Sequence, residues 1–158
     1  MEIRAFLLTC SLLICFPILG FAKDELVMQK EFMYWNSSIE NYPCSQLTHI
    51  KLGQDVPDIR EEACGALNRK FSLTLSGPPG TTLTLFGNYN YDQENGFLII
   101  RKSDDRKLWL LDLSSFPADQ WLSTKANRDS GAFETFYKPS PRFEESISSL
   151  KWGSNSHQ

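Results

Sequence analysis

A chain of 158 residues, 41% of them hydrophobic and 22% charged, is long enough for one domain with a sizeable buried core. Its net charge of −3 comes from sixteen Lys and Arg against nineteen Asp and Glu. No basic stripe runs through it, which argues against nucleic acid as a partner.

Met1–Ala22 reads as an export signal. Arg4 precedes an apolar run from Ala5 to Gly20, and the small residues Gly20 and Ala22 suit cleavage before Lys23. The run is broken by Pro17 and is shorter than the roughly 20 apolar residues a membrane span requires. The expectation is a cleaved signal peptide at 1–22, a single globular domain at 23–152 and a disordered tail at 153–158. The mature chain would be secreted or periplasmic, with no integral membrane segment.

Four cysteines then become two, since Cys10 and Cys15 leave with the signal. In an oxidising compartment Cys44 and Cys64 are expected to pair. Closing a loop of about twenty residues would stabilise the fold by roughly 3 kcal/mol. No Cys-x-x-Cys is present, so a thioredoxin-type dithiol is not expected. Asn36-Ser37-Ser38 is a glycosylation sequon.

Glu25–Trp35 ends in the aromatic cluster Phe32, Tyr34, Trp35 and reads as a strand, with Gln46–Leu52 as a second, short one. A helix is expected near residues 56–69. Asp55 can cap it, Pro57 suits the first turn, and Ile59, Ala63 and Leu67 fall on one face. The Cys44–Cys64 bridge would tie this helix to the strands.

Phe71, Leu73 and Leu75 alternate with Ser and Thr, as do Leu83 and Leu85. Between them Pro79-Gly80 fits the centre of a type II turn, and the two runs read as an antiparallel hairpin. A second hairpin is expected from Asn88–Tyr91 through Asn95-Gly96 to Phe97–Ile100. Leu108–Leu111 is apolar at every position and reads as a strand covered on both faces. Together these strands form a meander over residues 71–113. One helical turn near Trp121, a strand at Phe133–Tyr137 and a closing strand at Ile147–Trp152 complete the reading. The fold class is α+β and β-rich, an antiparallel sheet of about six strands with one helix.

No catalytic constellation emerges. His157 lies near the end of the tail, which leaves His49 as the plausible general base, and His49 on a half-buried strand reads as structural. Asp104-Asp105 and similar pairs read as solvated charges, and Asp112 as the exit of its strand. Gly77-Pro78-Pro79-Gly80 cannot cradle phosphate, because proline removes backbone donors. Asn88–Asp92 lacks the glycine and glutamate of a calcium loop. No cofactor and no metal is expected. Ser146–Trp152 is similar to the closing stretch of a βγ-crystallin motif, but the spacing from Tyr137 to Phe143 departs from that pattern, and no residue roles follow.

The aromatic content points to binding, since Tyr and Trp join apolar area to a polar handle. The leading expectation is an exported, non-enzymatic protein that recognises or inhibits another macromolecule, of the inhibitor or immunity type. A carbohydrate-binding module that uses Tyr89, Tyr91 and Trp121 is the alternative, and a small exported hydrolase the third. The expected partner is a protein or a glycan.

Overall fold

The computed structural model describes residues 24–30, 47–59, 71–141 and 143–153. The signal segment, Asn36, both Cys44 and Cys64, most of the expected helix and the tail after Gly153 lie outside the described residues.

Among the described residues nine strands form two antiparallel sheets. They are β1 (Glu25–Lys30), β2 (Leu47–Lys51), β3 (Phe71–Leu75), β4 (Thr82–Phe86), β5 (Phe97–Lys102), β6 (Leu108–Leu110), β7 (Trp121–Thr124), β8 (Phe133–Lys138) and β9 (Ser149–Gly153). The four-stranded sheet has the order β2-β1-β3-β6, and the five-stranded sheet β7-β8-β5-β4-β9. One helical turn, α1 (Phe143–Ser146), precedes β9. Among the described residues no helix is long and apolar enough to cross a membrane.

Alternation decides which side of each strand is buried. Leu26, Met28, Ile50, Leu73, Leu75, Leu108 and Leu110 line the inner face of the four-stranded sheet. Leu83, Leu85, Leu98, Ile100, Phe133, Tyr137, Leu150 and Trp152 line that of the five-stranded sheet, and all of them belong to one core cluster. Each Leu or Ile so buried contributes roughly 1.5–3 kcal/mol of transfer free energy.

A single sheet of about six strands is therefore replaced by two, and the meander by a different arrangement. β3 does not pair with β4. It pairs with β1 and β6, while β4 pairs with β5 and β9. Residues 71–110 make one long two-stranded ribbon that crosses from one sheet to the other. Leu75 faces Leu108 at the end of its first half and Thr82 faces Arg101 at the start of its second, with six residues between on each arm. Because the two crossings are equal in length, the register passes through the crease without a slip.

The crease has a local cause. Thr81 N bonds Pro78 O at 3.2 Å and Gly80 has φ 86°, so the expected type II turn is present. Type II turns do not match the twist of a paired hairpin, and the flanking strands splay into different sheets. On the other arm, Lys102 is buried and its ammonium donates to the carbonyl of Arg106, where the chain bends. Asp104 accepts the backbone N–H groups of Arg106 (3.1 Å) and Ala132 (2.8 Å), which closes that side.

Four further expectations change. Residues 55–58 are not helical; Ile59 is, and the rest of the expected helix lies outside the described residues. Val56 forms an antiparallel bridge with Leu150, and Asp55 accepts from Trp152 N (2.8 Å) instead of capping a first turn. Residues 88–91 are not a strand; Tyr89–Tyr91 forms a 3₁₀ turn inside the loop that joins β4 to β5. β6 is covered on one face alone, so Trp109 is 55% exposed. The segment at Trp121 is a strand, not a helical turn.

Candidate functional site

The outward face of the five-stranded sheet carries the most distinctive chemistry. Inward positions of β4, β5 and β9 are largely aliphatic, which turns Phe97, Ile99 and Lys151 outward; Phe86 shares that side of the sheet but is buried there, at 5% exposure. On β8 the outward positions are Glu134, Phe136 and Lys138, and on β7 they include Trp121 and Ser123. The register places Trp121, Phe136, Ile99, Thr84 and Lys151 in one row across all five strands.

Five rings form a continuous run over this surface. Trp121 and Phe136 have centroids 5.7 Å apart, Phe136 stacks on Phe97 at 6.0 Å, and Phe97 meets Phe86 at 6.5 Å. Phe86 then meets Tyr91 edge-on at 5.9 Å. These separations lie in the range where aromatic pairs contribute beyond their buried area. A cation sits over each end of the run. The Arg101 guanidinium lies 5.0 Å from the Trp121 ring, and the Lys151 amine 5.5 Å from the Tyr91 ring. Arg101 is also steered by Glu134, 3.4 Å away, whose other oxygen accepts from Ser123 Oγ.

Tyr91 reaches the run only because its backbone is held in an unusual shape. Asn90 and Tyr91 have φ of 55° and 64°. For a bulky side chain this region costs on the order of 1–3 kcal/mol and persists only where surrounding bonds enforce it. Here Asn90 N donates to Pro57 O (2.9 Å) and Tyr91 N to Ser149 Oγ (3.0 Å). Ser149 Oγ in turn donates to Asn88 O at 2.6 Å. The loop after β2 and strand β9 thus both hold this turn. Burial, and then the negative charge of Asp55, raise the Tyr91 hydroxyl above its ordinary pKa.

Of the three residues expected to bind, the structure brings Tyr91 and Trp121 to the two ends of one aromatic surface. Tyr89 is half-buried in the same turn and is not one of the five rings. Phe86, Phe97 and Phe136 join the site without having been singled out. Their signal was phase: each occupies the outward register of a strand.

His49 is elsewhere, on the outer face of the four-stranded sheet, with Nδ1 3.2 Å from Glu25 Oε2. Asp112 is exposed and caps the loop beyond β6, accepting from Ser114 N at 3.0 Å. Among the described residues no group of three or more His, Cys, Asp or Glu is placed to hold a metal ion. The chain matches no protein-family model, and no curated protein and no solved structure is similar to it at a significant level.

Proposed function

We propose that this is an exported binding domain that recognises another protein through the outward face of its five-stranded sheet, in the manner of an inhibitor or immunity protein. The observation that carries the reading is Trp121, half exposed, backed by Phe136 on one side and overlain by Arg101. Protein interfaces concentrate their binding energy in Trp, Tyr and Arg anchors set in packed surroundings. Trp121 is held in one orientation before any partner arrives, which lowers the entropy lost on association.

The same geometry favours protein over glycan. Sugars stack on open ring faces. Phe97 and Phe136 are stacked on each other, with ring planes 24° apart, and Arg101 occupies a face of Trp121. What the surface offers outward is a mixed strip of ring edges, guanidinium and hydroxyls, suited to side chains of a partner.

Affinity capture from envelope extract and culture fluid, with the wild type and Trp121→Ala side by side, tests this. A protein retained by the first and lost by the second, then bound directly when purified, supports the reading. A glycan array that returns a ligand sensitive to Trp121→Ala, with no protein retained at micromolar concentration, overturns it in favour of the carbohydrate-binding module.

A further inference from the structure

We propose that β7 is a self-pairing edge, through which two copies of this chain join their five-stranded sheets into one continuous ten-stranded sheet. Exposed sheet edges are liabilities that proteins cover, charge or distort. Two edges here are visibly covered. Val56 exchanges backbone bonds with Leu150 of β9 at 3.0 and 2.9 Å. The edge of β6 is met by the loop before β8, with Trp109 N donating to Ser130 Oγ and Gly131 N to Lys107 O, both at 3.0 Å. β7 is treated differently. It pairs with β8 on one side, and among the described residues no backbone group bonds to it from the other. Its sequence, Trp-Leu-Ser-Thr, has no charge, proline or glycine to deter pairing.

Both faces of β7 are also left open, with Trp121 50% exposed on the outer face and Leu122 37% exposed on the inner. Antiparallel pairing of two β7 strands about a two-fold axis normal to the sheet must set residues of like phase opposite each other. Centred on Leu122, the register puts Leu122 against its own copy and Trp121 against Ser123 of the second copy. The charges at the strand ends then match. Among the described residues Lys125 forms no ion pair, and this register brings it to the end of the second copy that carries Asp119. Asp119 already holds Lys138 at 2.8 Å and has a free side toward solvent, being more than half exposed. Each contact occurs twice by symmetry. Side chains opposite each other on one antiparallel pair interact by up to about 1 kcal/mol, which favours this register over a slipped one. A second copy is the occupant that needs no other sequence: the strand, its apolar centre and its complementary ends all belong to this chain.

Sedimentation equilibrium of the full mature chain over 1–500 µM, with circular dichroism to confirm folding, tests the proposal. A reversible dimer is expected, with Kd raised at least tenfold in Leu122→Lys and in Ser123→Pro. Register is read independently by oxidation of Leu122→Cys and Thr124→Cys variants. The first is expected to give a disulfide-linked dimer, because paired Cα atoms lie within the bridging range of about 4.4–6.8 Å. The second is expected to stay unlinked. A wild type that remains monomeric throughout, a dimer whose Kd changes less than twofold in both edge variants, or equal cross-linking of the two cysteine variants would each overturn it. The outcome does not depend on the proposed protein partner, since no partner is present in either measurement.

Discussion

Trp109 and Trp121 are almost equally exposed, at 55% and 50%, on the outer faces of the two sheets. Their company differs. Trp109 sits in a row with His49, Val27 and Thr74, and no ring or cation lies against it among the described residues. Trp121 ends a run of five rings and lies under Arg101. Exposure alone therefore does not mark a site. A lone exposed tryptophan is ordinary surface, whereas one fixed by packing on several strands is a preformed contact. Both sheets need an apolar inner face to fold, but among the described residues only the five-stranded sheet has aromatic rings organised on the outside.

The largest effect should come from neither outer face. Leu98 is fully buried and pairs across with Leu85. Leu98→Ala is expected to cost about 3 kcal/mol in urea unfolding, whichever tryptophan is present. Next, Trp121→Ala should weaken partner binding by about 2 kcal/mol, near thirtyfold, while Trp109→Ala leaves it unchanged. Isothermal titration with the captured partner measures both, and equal losses would break the comparison. Thr135 sharpens the inner half of it. It lies between Ile100 and Leu122 in the register, and its buried hydroxyl has no hydrogen-bond partner among the described residues. Thr135→Val should therefore raise stability by about 1 kcal/mol, read from the urea midpoint.

Lys102 gives the smallest and most specific signal, a slope. Burial lowers the pKa of its amine from 10.5, a shift that the charges of Asp104, Asp105 and Asp24 partly oppose. The folded chain thus releases this proton at a lower pH than the unfolded chain does. Stability should rise with pH between the lowered pKa and 10.5. Lys102→Met removes that increment, and unfolding free energies at a series of alkaline pH values should differ from wild type in slope.

Much of the fold was legible and the pairing was not. Alternation in Phe71–Leu75 and Thr82–Phe86 identifies both strands and their buried leucines, and Pro79-Gly80 identifies the turn. Neighbouring strands pair by default, and nothing in either strand alone shows that a type II turn will send them to different sheets. Asp55 and Pro57 suit a helix start in sequence as well as a bridge; the contact with β9 takes Asp55 and Val56, and the first helical residue is Ile59. Leu108–Leu111 looked covered on both faces because apolar runs do not reveal which strand will be an edge. In the candidate site, Trp121 and Tyr91 could be named from residue type. Phe136 could not, because Phe133, Phe136 and Tyr137 place aromatics in both phases of β8, and only the aliphatic partners on β5 show which phase faces out.

The folded ribbon places a condition on how this chain can change length. Its two crossings lie on opposite arms of one ladder and are matched at six residues each. Adding a residue to one alone would turn β3 or β6 over, exchanging core leucines for serine and threonine on one strand or for the outward tryptophan on the other. Adding one to both would preserve every pairing. Insertions and deletions in these two loops, separated by some twenty residues of sequence, are therefore tolerated only as a pair, and a library that varies the two lengths independently should return folded members along its diagonal.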